Sequence, residues 1–137
     1  MAYYIARTVS GGFDETVGKV VDALKQEGFG VLTEIEVSST LKQKLNIDFR
    51  KYRILGACNP PLALRALTAE DKIGVMLPCN VIVQEAGEGR IDVAAIDPTA
   101  AMDQVGNPAL AEIAHSVAEK LTRVLEALSN ATAPQAP

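Results

Sequence analysis

Alternation of apolar and polar residues opens the chain. Tyr3, Ile5, Arg7 and Val9 fall on one side and Tyr4, Ala6 and Thr8 on the other, a period of two that predicts a strand over Tyr3–Val9. Gly11-Gly12 ends it. From Phe13 to Glu27 the apolar positions Phe13, Val17, Val20, Val21 and Leu24 recur at helical spacing. Asp14 and Glu15 suit the first turn, where the helix dipole favours negative charge, and Gly28 suits a left-handed cap. Alternation returns over Phe29–Val37, a second strand with Phe29, Val31, Thr33, Ile35 and Val37 inward. Ser38-Ser39-Thr40 then offers caps to a short helix, Leu41–Leu45, closed by Asn46.

A third strand is predicted over Tyr52–Cys58. Asn59 is a good N-cap and Pro60 tolerates the first helical turn, so the strand runs straight into a helix over Pro60–Leu67. Thr68–Asp71 reads loosely as another cap. The stretch Ile73–Glu85 is apolar on both faces and predicts a fourth strand, in which Pro78 marks an edge, a bulge or a break in pairing. A glycine-containing turn over Ala86–Gly89 leads to a fifth strand, Arg90–Ile96, and so to a hairpin; Asp97-Pro98 ends that strand. Thr99–Gly106 reads as a loop or one short turn. Asn107-Pro108 then starts a long helix whose stripe of Leu110, Ile113, Val117, Leu121, Val124 and Leu128 carries it to about Ser129. The expected organisation is a single domain over residues 1–130 followed by a disordered tail, 131–137. Its class is α+β: a largely antiparallel sheet of about five strands with two long helices on one face. A sheet face without helical cover would call for a partner subunit or a ligand.

Composition narrows the function without naming it. The chain has 137 residues, 48% hydrophobic and 22% charged, with a net charge of −4. That is enough for one buried core and lacks the basic face that nucleic acid requires. No apolar run approaches the roughly 18 residues of a membrane span, and no secretory signal is visible, so a cytoplasmic protein with reduced thiols is expected. No glycine pattern continues into a phosphate loop, and no Ser/His/Asp arrangement is recognisable.

The candidate chemistry centres on Cys58-Asn59 and Cys79-Asn80, the cysteines being 21 positions apart. If strands three and four are neighbours, both thiols could face one pocket, opening a reversible disulfide, soft-metal or haem ligation, or a reactive thiol. The bland alternative is two small buried residues. Cys58, just before a helix N-terminus, is the better candidate nucleophile, with Arg53 and Arg65 as possible sources of positive charge. Cys79, between Leu77 and Val81, should have a raised pKa. Asn59 and Asn80 are read as caps or as ligand-orienting groups. A metal site is not expected, because no C-x-x-C occurs and the lone His115 lies off the apolar stripe.

The residues CNPPLALRAL from Cys58, LPCN from Leu77, AIDP from Ala95 and FDETV from Phe13 give the sequence a resemblance to the DUF302 family, over roughly residues 3–128. The resemblance implies a β-α-β(4)-α fold similar to that of the TATA-binding protein, and homodimers. It brings no activity, catalytic residue or cofactor. Three functions follow as alternatives: a small-ligand or cofactor-binding domain with Cys58, Asn59, Cys79 and Asn80 around the pocket; a thiol redox or sulfur-transfer protein using Cys58 and Cys79; or a structural dimerisation domain without catalysis.

Overall fold

The computed structural model describes residues 2–132. Five strands, β1 (Tyr4–Ser10), β2 (Gly30–Glu36), β3 (Tyr52–Cys58), β4 (Cys79–Glu85) and β5 (Arg90–Ile96), form one sheet in the order β1-β5-β4-β3-β2. Every neighbouring pair is antiparallel. The helices are α1 (Phe13–Gln26), α2 (Val37–Leu45), α3 (Pro60–Ala69), α4 (Pro98–Asp103) and α5 (Pro108–Thr132), with a 3₁₀ turn over Ile73–Met76. The fold is α+β, as the periodicities predict. The expected tail begins at residue 131, but α5 continues to Thr132; residues 133–137 lie outside the described residues.

The two long helices cover one face of the sheet. Val20 and Leu24 of α1 and Leu121, Val124 and Leu128 of α5 close over Leu55, Val81, Val83 and Val93. A second, smaller core lies beyond the strand ends, where Ala66, Ile73, Met102, Leu110 and Ile113 join α3, the 3₁₀ turn, α4 and α5. Leu62 packs against both cores. The opposite sheet face carries Tyr4, Ile82, Gln84, Asp92 and Ala94 around a shallow concavity of about 440 Å³. A polar ladder crosses it: Arg50 Nε donates to Gln84 Oε1 (2.8 Å), and Gln84 Nε2 donates to Asp92 Oδ2 (3.0 Å).

Two expectations need correction, and a third is extended. In β2 the register shifts between Val31 and Thr33, a bulge that reverses the alternation. Ile35 therefore does not point into the core; it is 48% exposed opposite Ile54, while Glu36 turns to Arg53. The fourth strand does not begin at Ile73. A proline cannot donate to a ladder, and pairing starts only after Pro78, whose peptide bond with Leu77 is cis. The stretch before it forms the 3₁₀ turn and buries Ile73 in the second core. Finally, Asp97 does more than end β5: it caps α4, accepting from Thr99 N (3.0 Å) and Thr99 Oγ1 (2.6 Å).

Candidate functional site

The third strand ends at Cys58, and the next residue, Asn59, caps α3. Asn59 Oδ1 accepts from Leu62 N (3.3 Å), and its Nδ2 donates to Glu27 O (3.3 Å) at the end of α1. Asn59 is thus a clasp between two helix ends. Gly28 leaves room for it: a Cβ there would lie 3.0 Å from Asn59 Nδ2, and its φ of +85° suits glycine.

Beside this clasp, at the seam between the two cores, is a cleft of about 260 Å³. Phe29, Ala57, Cys79 and Val117 come to it from the sheet core, and Ala66, Met102 and Ile113 from the second core. Cys58, Asn59, Leu62 and Ala63 form its α3 side, and Leu77 and Pro78 another wall. Among the described residues no Asp, Glu, Lys, Arg or His lines it, and its surface is almost entirely carbon and sulfur.

Three of the four residues singled out in the sequence reach this cleft: Cys58, Asn59 and Cys79. Asn80 does not. It is exposed and lies with Ile82 and Gln84 along the opposite sheet face, because successive strand residues alternate sides. The lining from Phe29, Met102, Ile113 and Val117 is not legible in the sequence. Phe29, Ile113 and Val117 read only as strand or helix core positions and Met102 as part of a loop or short turn, and their convergence is a product of topology.

The cysteines are not the close pair that the sequence suggests. Both are free thiols and they are not near each other. The register explains this: Cys79 stands opposite Ala57, whereas Cys58 pairs with Gly30. Adjacent residues on one strand point to opposite sides, so Cys58 approaches the cleft from a different wall. Burial pushes the Cys79 thiol up to about 11, with Cys58 a lesser cause acting through space. Burial keeps Cys79 a thiol, and the separation of the two sulfurs gives a two-cysteine redox or sulfur-transfer mechanism no geometric support. The two arginines named as sources of positive charge are each engaged with carboxylates. Arg53 is held by Glu36 (2.9 and 2.8 Å), with Glu34 at 3.8 Å, and Arg65 faces Glu112 at 3.6 Å.

Among the described residues, no three His, Cys, Asp or Glu side chains gather as metal ligands. His115 is solvated, with Glu119 4.0 Å away. It borders another concavity of about 430 Å³ near Asp103 and Asn107. The Asn107 amide there already donates to Ala69 O (3.0 Å) and Glu70 Oε1 (3.2 Å). Among the described residues no helix is long and apolar enough to cross a membrane.

An antiparallel sheet covered on one face by α1 and α5, with a thiol-bearing cleft at its end, places the chain in the α+β class. The model of the family described as "Domain of unknown function DUF302" matches residues 5–128. The chain belongs to the DUF302 family. A crystal structure of an uncharacterized conserved DUF302 protein from Bacillus stearothermophilus has the same fold, with a TM-score of 0.87 and 33% identity. The match covers 93% of this chain and 99% of that one. No curated protein matches the sequence.

Proposed function

We propose that this chain is a small-molecule-binding domain whose ligand occupies the cleft beside Cys58 and Asn59. One observation supports this reading above the others: an open cleft of about 260 Å³, lined by carbon and sulfur, at the seam of two cores. Apolar surface left wet in a concavity is unfavourable, and such hollows are the usual form of small-ligand sites. Cys58 supplies a half-buried thiol at its edge, while both polar atoms of Asn59 are already engaged with Leu62 and Glu27. Asn59 therefore shapes the site, and Cys58 is the group available to a bound molecule.

Native mass spectrometry of protein purified gently from its own cells tests this. The expected result is a retained small molecule that is lost in Ala63→Phe, a substitution that fills the cleft from its half-buried rim. Protein that carries no adduct, and that a library of apolar fragments neither binds nor stabilises, would refute the proposal.

A second reading concerns assembly. The open sheet face carries the cross-strand row Ile35 (48% exposed), Ile54, Ile82 and Ala94, with Tyr4 (45% exposed) nearby at the concavity, apolar surface that a second copy of the chain would cover. Homodimerisation through this face is compatible with ligand binding, because the cleft lies outside it.

A further inference from the structure

The rim of the cleft is as informative as its interior. Leu67 lines the cleft and is 43% exposed; Leu64, one turn earlier on α3, is 67% exposed. The 3₁₀ turn lies alongside: a Cβ built on Gly74 would be 3.8 Å from Leu67 Cδ2. The next residue, Val75, is 89% exposed, and Met76 follows at 37%. Exposed apolar side chains thus follow the cleft rim outward, Leu67 on α3 and, one residue past Gly74, Val75 on the 3₁₀ turn. The cations on these elements are balanced, Arg65 by Glu112 at 3.6 Å and Lys72 by Asp71 at 3.7 Å. With a net charge of −4 as well, the chain offers an anion little attraction.

Building on the proposed use of the cleft, we infer that its ligand is an unbranched alkyl chain with an uncharged head, lying in the cleft and continuing along the Leu67–Val75 track. The lining has no charged side chain, and its one amide is engaged with Leu62 and Glu27, so a charge inside would go unpaired at high cost. A methylene occupies about the volume of a water molecule, roughly 30 Å³. The cleft therefore holds on the order of eight or nine carbons. A compact ring would fill it and leave the track wet, whereas a longer chain covers both.

The test is a titration of the ¹⁵N-labelled full-length chain, followed by NMR, with 1-alkanols from hexanol to dodecanol and the matching carboxylates. Shifts at Cys58, Ala63 and Val117 are expected. Kd should fall about fourfold per added carbon, the effect of burying one methylene. Carboxylates should bind at least tenfold more weakly than alkanols of equal length. Val75→Asp should leave hexanol binding unchanged and remove the gain beyond about nine carbons. Leu67→Lys, at a tolerant exposed position, should weaken every alkanol. Chain-length independence, or carboxylates binding as well as alkanols, would overturn the inference. If toluene or cyclohexanol binds in the cleft while alkanols do not, the alkyl-chain inference falls and the binding-domain reading stands. If none of these molecules perturbs the cleft, both fall.

Discussion

The two thiols differ in what surrounds them, and this difference is measurable. Cys79 is buried, with its pKa raised to about 11, whereas Cys58 is half-buried at the rim of an open cleft. Iodoacetamide at neutral pH should modify Cys58 in the native protein and Cys79 only after unfolding, as read by peptide mass spectrometry; equal rates would contradict the structure. The Cys79 shift also bears on stability. In the unfolded chain this thiol loses its proton near 9, while in the folded protein it keeps it to about 11. Between those values the unfolded state binds fewer protons, so stability is complete below pH 9 and falls as pH rises, on the order of 1 kcal/mol per unit. Urea denaturation across this range should show a shallower decline in Cys79→Ala than in the parent. Gly56 is a third residue with a definite consequence. A Cβ there would collide with Thr33 Oγ1 and come 2.7 Å from Pro78 Cγ. Gly56→Ala should therefore cost about 1–3 kcal/mol through overpacking, seen as a lower denaturation midpoint.

Among the elements, α3 depends on a cap that sequence chemistry makes plain. Asn59 precedes Pro60, and the structure uses it as the N-cap. Its second bond, to Glu27 O at the end of α1, joins segments 32 residues apart and cannot be read from local pattern. Asn59→Ala removes both bonds and should destabilise the fold by about 1–2 kcal/mol. Asn59→Asp keeps the acceptor for Leu62 and loses the donor to Glu27, so denaturation of the two variants separates capping from clasping. The bulge in β2 teaches the converse lesson. Alternation from Phe29 to Val37 looks continuous, yet one extra residue near Leu32 turns Ile35 outward. Likewise the apolar run from Ile73 suits a strand on hydrophobicity alone. Pro78 decides where pairing starts, and Ile73 finds burial against a different core.

At the scale of the molecule, helices among the described residues cover one face of the sheet and leave the other open. If the other face associates with a second copy, light scattering on a size-exclusion column should give twice the mass of the 137-residue chain. Ile82→Lys should then shift it to a monomer with its far-ultraviolet circular dichroism retained. A parent protein that is monomeric at all accessible concentrations would exclude this assembly. The ladder Arg50–Gln84–Asp92 crosses this face and would lie within such an interface, where its hydrogen bonds contribute to register.

The sequence by itself determined the α+β class, the order of strands and main helices, the caps at Asn59 and Asn107, and the unequal prospects of Cys58 and Cys79. Each of these follows from periodicity or from the bonding capacity of a residue and its near neighbours. Only the tertiary structure decided that Asn80 leaves the cleft, that the sulfurs do not pair, and that Phe29, Met102 and Val117 close around one hollow. Those outcomes depend on strand register and on where two cores meet, and both are set by contacts between residues far apart along the chain.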